Sequence, residues 1–275
     1  MFSTLIAIIY AEREPYPSIV KYGQLDTWVN TFYPRNQIVY FHGIRPNQFT
    51  ISLDNFIEKM RWHSGRTMAY ALAYASMILF WPFRWFIPKF SKNSSGSLPK
   101  ECSSMRINIP EMYVTIRWKI LAVLKHFLDN TQHEFIVITT PSAYIKVDLL
   151  NSFLANLIEK NVYAGPINEL THDSKFASTS ALILNRNSAQ LLLNNRKLIP
   201  SHVLVDVGFG YAFRALSVKP IAIPSLNIDN LEFLNKLTKH QIDSNFHFRL
   251  KSGSNEDRRD STIFHFLHKR IKLNN

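Results

Sequence analysis

Residues 134–153, EFIVITTPSAYIKVDLLNSF, join an apolar run to a tight turn and then to a helical pattern. Phe135 to Thr139 show no alternation of polar and apolar positions, which fits a short strand covered on both faces. Pro141 and Ser142 end that strand in a turn, and a helix is expected from about Asp148, with the acid at its cap. In open α/β sheets the carboxyl end of a central strand is where ligands bind. A ligand is therefore expected beside Thr139 to Tyr144.

The rest of the chain reads as partners for that strand. Thr4 to Tyr10 is a second buried run, followed by the charged loop Glu12 to Pro17 and a helix over Ile19 to Phe32 with Trp28 in the core. Gln37 to Phe41 is a third strand, ended by His42-Gly43, where His42 reads as a turn residue rather than a ligand. Strand, helix, strand is a βαβ start and implies a right-handed, mostly parallel sheet. Pro110 opens a helix over Met112 to Leu128, whose apolar face recurs at Met112, Ile116, Ile120 and Val123, with Lys119, Lys125 and His126 on other faces. Leu149 to Glu159 is helical, Asn161 to Gly165 an edge strand, Phe176 to Asn185 one long strand, Ser188 to Leu193 a helix, and Val218 to Ile223 the closing strand. The expectation is an α/β fold with helices on both faces of a mixed, mostly parallel sheet, in one domain over residues 1–275.

Residues 61–91 interrupt this pattern as an apolar and basic insertion. Thr67 to Phe83 is seventeen residues without a charge, short of the roughly 20 that a bilayer span requires. Basic and aromatic flanks suit a segment lying in a membrane interface through residues 67–88; a buried core helix is the other reading. Lys92 to Lys100 reads as a linker.

A net charge of +12 favours an anionic partner, whether nucleotide phosphates, nucleic acid or a lipid surface, over a basic surface that only aids solubility. One cysteine, Cys102, excludes an internal disulfide and a multi-cysteine zinc cage. The first apolar run is too short for a secretory leader, so the expected location is cytoplasmic, with or without contact with the inner face of a membrane. No GxGxxG follows the first strand and no GxxxxGK[ST] occurs. The basic residues are scattered, with no nucleic-acid-binding motif, so no nucleic-acid partner is expected.

Several short patterns then fall in one order. Asp26-Thr27-Trp28 stands where the β-1,3-galactosyltransferase and Fringe-like glycosyltransferases carry R-x-TW. Tyr113, Thr115, Ile116, Arg117 and Lys119 keep the spacing of Y-x-N-L-T-x-K. Ile138 to Ile145 lies over K-T-D-D-D-V-F-V, and Phe176 to Asn185 over Y-x-S-G-G-G-Y-V-L-S with Ser178 and Leu184 retained. Asp206, Val207 and Gly210 match E-D-V-x-x-G, and Ala215 to Pro220 resembles A-L-x-V-K-P. The chain thus resembles a divergent member of that family from Thr4 to Pro224. The resemblance implies a GT-A fold, a nucleotide-sugar donor and a saccharide acceptor.

The departures are chemical. Thr140, Pro141 and Ser142 occupy the three acidic positions that hold a divalent metal in the resembled enzymes. Hydroxyls are poor substitutes for carboxylates around Mn²⁺ or Mg²⁺, so no metal ligands are assigned, and either ion would need another site. Thr179-Ser180-Ala181 replaces the glycine triplet. The resemblance assigns Asp206 as general base and Ser178, Thr179, Ser180 and Gly208 to the acceptor side. Its donor side comprises Tyr10, Glu12, Arg13, Lys119, Thr139, Thr140, Ser142 and Tyr144. In the basic C-terminal segment 225–275, Asn245 to Lys251 reads NFHFRLK. Alternation puts His247, Arg249 and Lys251 on one face, where they meet the donor phosphates in place of a metal, or instead form a solvated basic edge strand. Arg258 and Arg259 come next as candidates to close over the ligand. A hexosyltransferase acting on a glycan or lipid-linked acceptor is the first functional expectation; a catalytically silent scaffold or glycan-binding relative is the second.

Overall fold

A computed structural model describes residues 3–32, 38–44, 48, 51–52, 90–91, 98, 103–112, 115–169, 175–200, 203–253 and 258–274. The insertion at 61–91, apart from its last two residues, and most of the segment 92–100 lie outside the described residues. Among those described, no helix is long and apolar enough to cross a membrane.

The chain opens with β1 (Thr4–Ile9), passes through short helical turns at Tyr16–Ile19, Val20–Leu25 and Trp28–Phe32, and returns as β2 (Ile38–Ile44). β3 (Phe90–Ser91) and β4 (Ser104–Pro110) precede the long helix Ile116–Asn130, and β5 (Phe135–Thr139) comes after it. β6 (Ala143–Ile145) leads to the helix Val147–Ala155, then β7 (Tyr163–Gly165), β8 (Ile167–Glu169), β9 (Lys175–Ala177) and β10 (Ala181–Asn185). After the helices Arg186–Asn194 and Val205–Ala215 come β11 (Ile221–Ala222), β12 (Ser225–Asn227), β13 (His247–Arg249) and the terminal helix Asp260–Asn274.

The main sheet runs β11-β7-β10-β5-β1-β2-β4-β3, with β5 inside it. Pairings β5–β1, β1–β2, β2–β4 and β7–β11 are parallel, whereas β10 and β3 run against their neighbours. The missing alternation in β1 and β5 has its cause here. Ile6, Ile8 and Val137 pack into one core layer with Trp28, Tyr144 and Phe264, and Leu5, Ala7, Ile136 and Ile138 pack into the other with Leu121, Phe127 and Phe213.

Several boundaries differ from the sequence reading. Pro110 ends a strand rather than opening a helix: Ile107 and Ile109 alternate inward along β4, and a proline without an N–H is tolerated where the β2–β4 register is irregular. β2 continues through His42-Gly43 to Ile44, with a register shift against β4. Tyr163–Gly165 is not an edge strand, because β11 pairs beyond it. Phe176 to Asn185 is two strands: the Ser178–Ser180 turn sends β9 to pair with β8 while β10 enters the main sheet. The helix expected over Ile19 to Phe32 is broken into three short pieces. Asp148 lies in the first turn of its helix, with Lys146 at the cap. β13 is the middle strand of a small sheet, β12-β13-β6, not an edge.

The helix Val205–Ala215 is pressed onto β9. A Cβ built at Gly210 would meet Phe176 Cβ at 2.6 Å, an atom that no rotamer change can move aside. Alanine favours a helix over glycine by about 1 kcal/mol, but overpacking costs roughly 1–3 kcal/mol. Gly210→Ala is therefore expected to lower the urea midpoint despite its better helix propensity.

Candidate functional site

Parallel strands deliver their connecting loops to one edge, and a cleft of about 140 Å³ opens there at the carboxyl ends of β1 and β5. Tyr10, Arg13 and Tyr16 line one wall, Met112, Ile116 and Lys119 a second, and Thr140, Pro141 and Thr179 a third. The Thr140–Ala143 turn is braced from below. Gln24 Nε2 donates to the carbonyls of Thr140 and Ala143 at 3.3 Å each, and Trp28 Nε1 donates to Ala143 at 3.1 Å. Trp28 thus fixes the shape of the ligand-facing turn as well as filling the core.

Lys119 and Glu111, both on the lining, form a buried ion pair with side chains 2% and 5% exposed. The second carboxylate oxygen of Glu111 accepts from Gly43 N–H at 2.5 Å. Gly43 has to be glycine at this spot, since a Cβ would sit 2.7 Å from the Ile109 carbonyl. Beside it His42 is fully buried, not in a turn, with Nδ1 3.0 Å from the Gly43 carbonyl and 3.7 Å from Glu12 Oε1. Burial lowers the His42 pKa against the opposing pull of Glu12 and Glu111, so the ring is neutral at pH 7. Sequence reasoning did not single out Glu111. The acid comes after an Ile-Pro that reads as a helix start; in the fold it follows the end of β4, where it meets Lys119 eight residues on, and the β2–β4 pairing brings it to Gly43.

The turn itself does not suit a divalent ion. Ser142 Oγ accepts from the Arg258 guanidinium, which is also ion-paired with buried Asp260 and lies 5.4 Å from the Tyr16 ring centre. Thr140 and Pro141 offer no carboxylate, and the cation already on Ser142 would repel a metal. Among the described residues, no group of three His, Cys, Asp or Glu side chains is placed to hold one.

The fold brings Tyr10, Arg13, Lys119, Thr140 and Thr179 onto the lining. Thr139 and Ser180 lie directly behind it, joined by Thr139 Oγ1 donating to the Ser180 carbonyl at 2.6 Å. Ser178 closes the same turn, accepting from Ser180 N–H at 3.3 Å. Tyr144 points into the core, its hydroxyl 2.8 Å from His268 Nδ1, and burial pushes its pKa up. His247 is fully buried in the middle strand, with Nδ1 2.7 Å from Ser225 Oγ. Arg249 and Lys251 are half-buried and off the lining. Asp206, half-buried in the first turn of its helix, is also off the lining. Gly208 packs where a Cβ would lie 3.0 Å from Ile199 Cγ2 and 3.4 Å from Arg117 Nη2.

No protein-family model matches this chain, and no curated protein matches it. Among solved structures it is similar to mouse xyloside xylosyltransferase 1 in the apo form, at 9% identity and a TM-score of 0.41, over 90% of this chain and 97% of that one.

Removing one partner of a buried ion pair strands the other charge, at about 3–5 kcal/mol. Lys119→Met is expected to cost that much in chemical unfolding, and Glu111→Gln/Lys119→Met to recover most of it. A second expectation concerns pH. Burial, aided by the Arg249 charge, holds His247 at about 3, below an unfolded value near 6.5. Its neutral form contributes stability above about pH 6.5, lost as pH falls toward 3 because the unfolded chain takes up a proton that the folded ring refuses. The melting temperature should fall between pH 6.5 and 4, and less steeply in His247→Gln, in a calorimetric pH series.

Proposed function

We propose that the cleft binds a nucleotide sugar and that the protein is an inverting, metal-independent glycosyltransferase. It transfers a galactose-like hexose to a glycan or lipid-linked saccharide. The observation that carries this reading is a cleft at the carboxyl ends of two parallel strands, lined by Lys119 and Arg13 beside a turn that lacks acids. Diphosphate oxygens are well matched by such cations as charge-assisted acceptors. The Arg258 guanidinium stands at the turn where the resembled enzymes keep a metal.

The reaction needs three things. A base takes the proton of the acceptor hydroxyl, whose oxygen then forms a bond to the anomeric carbon of the donor. The bond from that carbon to the diphosphate breaks, and the electron pair leaves with the diphosphate, where Lys119 and Arg13 offset the growing charge. The resemblance gives the base role to Asp206. Glu111 is the carboxylate on the cleft lining, but Lys119 and the Gly43 N–H hold both of its oxygens, which makes it a positioning group for Lys119. The acidless turn and this pinned carboxylate favour one second reading, a silent relative that binds nucleotide or glycan without turnover.

The test is calorimetric titration with nucleosides, nucleoside diphosphates and nucleotide sugars, with Mn²⁺, Mg²⁺ or chelator. Diphosphate binding insensitive to metal and chelator is expected. Glu111→Gln/Lys119→Met should weaken UDP at least tenfold and leave uridine within twofold, and Asp206→Asn should bind normally while losing turnover. Binding that requires the ion would overturn metal independence. Binding without transfer to any saccharide would leave the silent relative, and no nucleotide binding would end the transferase reading.

A further inference from the structure

The terminal helix Asp260–Asn274 has two sides of different chemistry. Ile263, Phe264, Leu267 and Ile271 pack into the core, and Gly23 lies so close that a Cβ there would meet Phe264 Cδ2 at 2.8 Å. On the outer side Arg259, Thr262, Phe266, Lys269 and Leu273 recur every three or four residues, and all five are exposed. That spacing makes one stripe about 21 Å long. Phe266 is 48% exposed and Leu273 75%, with Lys272 also exposed beside them. From Arg259 to the terminus the one acid is Asp260, which is buried and paired with Arg258. Arg259, Lys269 and Lys272 have no ion-pair partner among the described residues. Arg270, between Phe266 and Leu273 along the chain, donates to the carbonyls of Leu234 and Leu237. It thereby holds the helix Leu231–Lys236, with its exposed Phe233, beside the stripe.

The mixture of cations and exposed apolar side chains selects the partner. A protein surface fits poorly, because lysine is depleted from interface cores and Lys269 and Arg270 separate Phe266 from Leu273 along the helix. Nucleic acid would engage the cations through its phosphates and leave Phe266 and Leu273 in water. An anionic lipid surface uses both: long basic side chains reach the headgroups while the apolar ones enter the acyl boundary. We propose that the outer face of the terminal helix is a docking surface for an anionic lipid bilayer, on which the chain lies peripherally. The stripe starts close to the cleft, since Arg258, the residue before Arg259, contacts Ser142 in the ligand-facing turn and the ring of Tyr16 on the lining. Docking thus keeps the cleft near the lipid surface, where a lipid-linked saccharide is presented. Lipid binding itself does not depend on what the cleft binds.

The experiment is co-sedimentation of the full chain, without nucleotide, with vesicles of phosphatidylcholine alone and with vesicles containing about 30% phosphatidylserine. Affinity for the anionic vesicles should be at least tenfold higher and should fall as salt screens the headgroups. Lys269→Glu/Lys272→Glu should weaken it at least tenfold and Phe266→Ser/Leu273→Ser at least threefold. Both variants should melt with the parent protein, because all four side chains are exposed. Equal binding to the two vesicle types, or binding to neither, would overturn the proposal. So would anionic-vesicle binding unchanged in both variants, which would put the lipid contact elsewhere on the chain. Loss in the charge variant alone would overturn the insertion of Phe266 and Leu273 and leave simple adsorption. A dimer that Phe266→Ser/Leu273→Ser separates, with no vesicle binding, would give this face to a second copy of the chain. Nucleotide binding is read separately by calorimetry, so its failure would leave a positive lipid result standing.

Discussion

The pairing of β5 with β1 constrains most of the molecule. Both strands are buried on both faces, so their side chains hold two core layers together and neither face is free to bind anything. Ligand-facing chemistry is thereby confined to the strand ends. There the backbone must turn, and polar groups are exposed at one edge. The turn after β5 is stiff because Gln24 and Trp28 hold its carbonyls, so the cleft wall belongs to the rigid part of the molecule rather than to a loose loop.

Beneath that edge lies a dense set of charges. Lys119 and Glu111 neutralise each other, and Arg258 and Asp260 do the same behind the turn. Such pairs contribute little net stability after desolvation. Their effect is positional: each fixes a cation at a defined place beside the cleft without leaving an unpaired buried charge.

The outline of the site was legible from local pattern, because the strand, its terminating Pro141-Ser142 turn and the absence of acids there are properties of contiguous residues. Tyr10, Arg13 and Thr140 were reachable for the same reason, each lying at or just beyond a strand's carboxyl end, whereas Lys119 and Thr179 came from the family resemblance; all five line the cleft. Glu111 and His42 were not reachable. Glu111 follows an Ile-Pro that reads as a helix start and His42 reads as a turn residue; Glu111 meets Gly43 through the pairing of β2 with β4, and His42 comes beside Glu12 through that of β1 with β2. His247 shows the converse. Its alternation with Phe246 and Phe248 is real, but the face it points to is interior, with its ring fully buried beside Ser225, so the histidine is sealed instead of facing solvent.

By itself the sequence determined an α/β fold with a buried central strand, the edge at which the cleft opens, and a turn without carboxylates. These come from periodicity, proline placement and residue identity, which act over a few residues. The tertiary structure decided that Glu111 is held by Gly43, that Arg258 reaches Ser142, and that His42 is buried beside Glu12. Those pairs lie across strand neighbours or far apart along the chain, with Arg258 and Ser142 separated by 116 positions. No local propensity encodes such a meeting; the sheet register and the packing of the C-terminal segment against the turn bring it about.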